Sequence, residues 1–130
     1  MDETTRRWFD DFVEEVLDDA PPLIGRLLEE VPLHVEDYPP DDVLLEFGLA
    51  SRGELCGLFT GVPFSERSIE RSGDAPSIVT LYREGLIEQS RDALGRIDPQ
   101  RLRKEIRITI LHELGHLHDL TEDDLESMGY

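Results

Sequence analysis

His112-Glu113-Leu114-Gly115-His116, near the carboxyl end of a 130-residue chain, is the stretch on which both fold and chemistry turn. On an α-helix, residues four apart share a face. Both imidazoles can therefore reach one metal ion while the Glu113 carboxylate stands beside it, placed to deprotonate a metal-bound water. Three of the four histidines, His112, His116 and His118, fall within this short segment, so a metal held by histidine would be held here.

Outward from the motif toward the amino terminus, Asp98-Pro99 is a helix start signal. Leu102, Ile106, Ile110, Leu114 and Leu117 then fall on one side at roughly 100° per residue. Glu105, Thr109, His112 and His116 fall on another side, with Glu113 between the two. The pattern predicts one helix that is core on one side and chemistry on the other. Toward the carboxyl end, Asp119 to Thr121 break it, and Thr121-Glu122-Asp123-Asp124 reads as the cap and acidic first turn of a last short helix ending at Gly129-Tyr130.

Two neutral imidazoles leave a catalytic zinc short of one protein ligand, and a residue just beyond the helix ordinarily supplies it. Laid on the longer pattern H-E-x-x-H-x-x-G-x-x-H, the turn glycine becomes Asp119 and the third ligand becomes Glu122. Aspartate tolerates a left-handed turn, and carboxylate is a normal zinc ligand. Asp119, Asp123 and His118 compete with Glu122 for that position. Hydrolysis of a peptide bond also needs a donor for the oxyanion, and Tyr130, Tyr82, His118 and Arg67 are the candidates. An extended peptide would pair with an exposed strand edge.

The rest of the chain supplies an α+β frame. Thr4 or Thr5 can cap a helix in which Trp8, Phe9, Phe12, Val13, Val16 and Leu17 recur at helical spacing, while Asp10, Asp11, Glu14, Glu15, Asp18 and Asp19 make its wet face. Pro21-Pro22 ends it and opens a second helix with Leu23, Leu27 and Leu28. Pro32 to Asp37 alternates like a strand, which makes His34 a strand histidine rather than a ligand. Tyr38 to Asp42 reads as a turn, followed by an irregular connection to Gly53 whose apolar residues Val43 to Phe47 hold it to the core. Leu55 to Thr60 reads as a strand and the polar run Ser65 to Pro76 as a loop. Ser77 to Ile87 reads as a further strand, with a bulge or turn at Gly85. The expected sheet is short, with three or four strands.

Composition sets the outer bounds. The length suits one domain, 1–130, with a modest core, and the apolar residues come in periodic blocks as folded chains require. Thirty acidic against 13 basic residues give a formal charge of −17, which disfavours nucleic acid and anionic membranes as partners. No run is long and apolar enough to span a bilayer, and the amino terminus lacks the features of a signal peptide, so the cytoplasm is the default compartment. Cys56 stands alone beside Leu55, Leu58 and Phe59 and reads as a packed thiol.

Several stretches in order resemble a known family. They are the acidic amino-terminal helix, then Val35-Glu36-Asp37 followed by Pro39-Pro40, then Leu58-Phe59-Thr60-Gly61-Val62-Pro63 with Arg67, then Pro76-Ser77-Ile78-Val79-Thr80-Leu81-Tyr82-Arg83. Ile108 to His116 and the run to Leu125-Glu126-Ser127-Met128-Gly129 complete the likeness. Together they resemble the small bacterial zincin-like metallopeptidases with a minimal matrix-metalloprotease-like fold. The resemblance implies an α+β zincin core with an active-site helix. It also implies a zinc site of His112, His116 and an acid aligned with Glu122, with Glu113 as base and a peptide or protein as substrate. The chain departs from the family pattern at His116-Leu117-His118-Asp119, where relatives carry His-His-Phe-Gly. A non-catalytic module that keeps the fold is the first alternative. A metal-dependent ribonuclease built on a three-histidine motif is the second, and the charge argues against it.

Overall fold

The computed structural model describes residues 1–60, 77–117 and 123, with 116 and 117 described by their helical backbone. Its longest element is the helix the motif requires, α5, Pro99–Leu117. The Asp98 carboxylate accepts from the amides of Gln100 at 3.0 Å and Arg101 at 3.3 Å, and the Asp98 carbonyl takes the Leu102 amide at 2.9 Å. Pro99 fills the first helical position, where no amide hydrogen is needed. Leu102, Ile106, Ile110 and Leu114 are all at most 1% exposed, so the predicted apolar side of α5 is the centre of the core.

The first helix, α1 (Glu3–Asp18), lies against α5 and adds Phe9, Val13 and Val16 to that core. Asp2, not Thr4 or Thr5, caps it: the Asp2 carboxylate accepts from the Thr5 amide at 2.7 Å. α1 has no basic residue in its last turn. α5 supplies the missing complement, since Arg103 reaches Glu15 at 2.9 Å with its guanidinium above the Phe12 ring. A second helix, α2 (Pro22–Glu30), opens on Pro22 and buries Ile24.

The sheet has three strands among the described residues: β1 (Leu33–Glu36), β2 (Gly57–Thr60) and β3 (Ile78–Tyr82). β3 lies in the centre, parallel to β1 and antiparallel to β2, so the sheet is mixed and β2 is the outer strand on one side among the described residues. Val79 and Leu81 are fully buried on the side that meets α5. Gly57 is paired with Leu81 and Phe59 with Val79, which puts both on that same side. Among the described residues the arrangement is α+β, five α-helices with a short mixed sheet.

Two connections differ from the sequence reading. The stretch after Tyr38 contains a helix, α3 (Asp41–Glu46), that buries none of its residues; Leu45 is 83% and Phe47 50% exposed, so this segment is held to the core far less than its apolar content predicts. The strand expected from Ser77 to Ile87 ends at Tyr82, and Arg83–Gln89 form a helix, α4. Tertiary contacts decide that change. The Asp37 carbonyl takes the Glu84 amide at 2.9 Å, and Gly85 lies inside α4 where the Leu55 carbonyl presses on it. A Cβ at Gly85 would collide with that carbonyl, so glycine is needed for packing rather than for a bulge.

A polar clamp joins the amino-terminal half to the start of α4. Arg6 donates to Asp37 from Nη2 at 2.6 Å and from Nε at 3.1 Å. Arg83 donates to Asp37 at 2.9 Å and, through Nε and Nη2, to Asp10 at 3.1 and 3.0 Å. The neighbouring Pro39 is fully buried.

Candidate metal centre

α5 continues without a break through the motif, so His112 and His116 stand one turn apart on one face of a regular helix. His112 and Glu113 are half-buried, while Leu111, Leu114 and Gly115 around them are buried. The core anchors the helix on its apolar side.

Strand β2 passes directly over this turn. A Cβ placed on Gly57 would stand 2.5 Å from Thr109 Cγ2, 3.1 Å from the Thr80 carbonyl oxygen and 3.5 Å from Glu113 Cγ. Backbone of β2 is thus brought beside the carboxylate that the motif marks as a base. Sequence reasoning assigned Gly57 nothing more than strand membership. The one signal was a glycine among strand formers, which marks close backbone approach.

Two imidazoles at this spacing with an adjacent carboxylate match the nitrogen-rich donor set that zinc prefers, and they leave one protein ligand to be found. Among the described residues no group of three histidine, cysteine or acidic side chains gathers to hold a metal. Glu122, Asp119 and His118, the candidates for third ligand, lie outside the described residues, as do the expected loop from Ser65 to Pro76 and the last short helix. Asp123 is exposed.

Of the oxyanion candidates, Arg67, His118 and Tyr130 also lie outside the described residues. The structure removes Tyr82. It follows Leu81 on β3, so its ring projects from the sheet face opposite α5, and it is only 4% exposed. Burial, with Glu36 and Asp42 nearby, raises its pKa, so the hydroxyl stays protonated there. His34 is exposed on that same far face, in register with Thr80, and is a strand histidine as expected. Cys56 packs against the core beside Gly57.

A mixed sheet, three-stranded among the described residues, laid over a long helix that carries the sequence His112-Glu113-Leu114-Gly115-His116 has the form of the zincin class. The family model of the zincin-like metallopeptidases matches residues 28–130, and the chain belongs to that family, whose sites usually take zinc. No curated protein matches the chain. The match begins inside α2, so the amino-terminal helix α1, which the resemblance in sequence included, lies outside it. Among the described residues no helix is long and apolar enough to cross a membrane.

Proposed function

We propose that this protein is a zinc-dependent peptidase in which His112, His116 and Glu122 hold the metal and Glu113 is the general base. One observation carries the reading: the unbroken run of α5 through the motif, with Glu113 directly beside strand β2. Bound zinc would supply a Lewis acid that lowers the pKa of its water to about 7 and polarises the scissile carbonyl. The Glu113 carboxylate takes the proton from the attacking water and returns it to the departing amine nitrogen, so one group serves as base and then as acid. The charge of −17 turns the same site away from nucleic acid.

Replacing Glu113 by glutamine keeps the shape of the side chain and removes its basicity. The variant should retain zinc at the wild-type stoichiometry and lose hydrolysis of a peptide library by about a hundredfold or more. Unchanged turnover removes Glu113 from the mechanism. Wild-type protein purified without added metal should contain zinc or take up one equivalent at micromolar concentration. Uptake of less than about half an equivalent counts against the site. Zinc retained with neither peptide nor RNA cleaved would identify a binding module, and RNA cleaved in place of peptide would identify a nuclease.

A further inference from the structure

We propose that residues 38–52 form a docking arm through which two copies of this chain pair, the arm of each seated in a cleft at the foot of the other's arm. The segment is an excursion closed at its neck. The Arg52 guanidinium stacks on the Tyr38 ring at 3.9 Å, and its Nε donates to Glu84 on α4 at 2.9 Å. Buried Pro39 roots one side. On the other, the Glu54 carboxylate accepts from the Ser51 amide at 2.9 Å and the Ser51 hydroxyl accepts from the Gly53 amide at 3.3 Å. Between these roots α3 ends on Gly48, whose φ of 64° lets the Leu49 amide turn back to the Leu44 carbonyl at 3.0 Å. The arm is therefore ordered before it meets anything. It nevertheless buries no residue of α3 and holds Leu45 and Phe47 in water. Apolar groups held out on a preordered segment can dock at little cost in chain entropy.

The receiving surface lies at the neck. A cleft of about 500 Å³ opens there, with Tyr38, Ile87 and Ile97 among its apolar walls and Arg52 and Arg91 among its polar ones. Its acids, Glu84 and Glu88, are each taken by one of these arginines. Arg91 spends Nε on Glu88 at 3.0 Å and Nη1 on the Gly95 carbonyl at 2.8 Å, which leaves Nη2 without a bond among the described residues. The arm carries the complement, since Asp41, Asp42 and Glu46 share α3 with Leu45. Apolar side chains flanked by acids thus match an apolar cleft flanked by arginines. Arm and cleft share Tyr38 and Arg52, so they form one contiguous patch. That is the condition for a two-fold interface, in which every contact is made twice. The arm does not fill its own cleft, because Leu45 and Phe47 remain exposed. The charge of −17 opposes pairing, yet at physiological ionic strength charges more than about 8 Å apart are screened, so the local match decides. The pairing does not depend on the metal centre.

Sedimentation equilibrium of the full chain at physiological ionic strength is the first test. Wild type should be largely dimeric at about 500 μM and largely monomeric at about 5 μM. The arm variant Leu45→Ser/Phe47→Ser and the cleft variant Arg91→Glu should each weaken pairing by about tenfold or more. All three positions are exposed, so both variants should keep the wild-type circular dichroism. The decisive measurement mixes the two variants. An arm-defective chain still has a sound cleft, and a cleft-defective chain still has a sound arm, so one of the two contacts can form between them and neither can form within each variant alone. Isotope-labelled arm variant should therefore show amide shifts at Tyr38, Arg91 and Ile97 on addition of unlabelled cleft variant to about 2 mM, and no such shifts on addition of unlabelled arm variant. Unspecific apolar association would not give that asymmetry. Wild type that stays monomeric at about 500 μM, variants that pair as tightly as wild type, or a mixture without those shifts overturns the proposal. Growth beyond two copies overturns the two-fold pairing.

Discussion

At the scale of single residues, α5 is flanked by a thiol that the fold keeps quiet. Burial, and to a lesser degree the Glu105 carboxylate, pushes the Cys56 pKa up to about 11. The thiolate is the reactive form, so at about pH 8 the folded protein should react with an aromatic disulfide reagent far more slowly than urea-unfolded protein does. Rapid stoichiometric labelling of the folded state would refute this. The packing of Cys56 was legible from Leu55, Leu58 and Phe59, because apolar neighbours in a strand imply a buried environment on at least one side. The fate of Tyr82 was not. In Ser77 to Ile87 both faces are apolar enough to be core, and only the pairing of Leu81 with Gly57 over α5 reveals which face turns away. Nor could the sequence disclose what Gly57 touches, since the relevant property is the absence of atoms.

At the scale of elements, α5 was legible almost whole because local and tertiary preferences agree: a cap, a proline at the first position and an apolar stripe that is the core. That agreement predicts a measurable dependence on the cap. Asp98→Ala frees the amides of Gln100 and Arg101 and should cost about 1 kcal/mol, read as a lower urea midpoint with unchanged slope, whereas Asp98→Asn should cost much less. An alanine variant as stable as wild type would mean that the helix start is held by packing alone. α4 shows the opposite situation. Its residues Arg83-Glu84-Gly85-Leu86-Ile87 contain a glycine and β-branched Ile87, and nothing local ends the preceding strand. The helix is imposed by contacts far away in sequence, the Asp37 carbonyl on the Glu84 amide and Leu55 on Gly85. α3 was missed for a related reason: two acids at its start favour a helix, yet its apolar residues suggested anchorage that Leu45 and Phe47 do not provide.

At the scale of the whole molecule, α1 lies outside the family match and is nonetheless tied to the matched region by core packing and by the Arg6–Asp37–Arg83–Asp10 clamp. Asp37 and Arg83, which carry part of the family resemblance in sequence, bond across this junction, and Pro39 beside them is buried. Hydrogen bonds from Arg6, and then from Arg83, hold the Asp37 carboxyl below its ordinary range. A depressed folded-state pKa contributes stability that is fully present above the unfolded value of about 4 and is lost as pH falls through the folded value. Asp37→Asn keeps the side chain's shape and removes its charge, so at neutral pH it should cost roughly 2 kcal/mol. Acidification also protonates many other carboxylates and relieves the self-repulsion of a chain carrying −17, so the stability of the wild type alone is a poor readout. The difference between wild type and Asp37→Asn isolates the clamp. In urea titrations it should be constant above about pH 5 and shrink below about pH 4. A gap that persists undiminished to about pH 2 would show that the carboxylate's charge contributes nothing and that the arginines need only a polar group of the right shape.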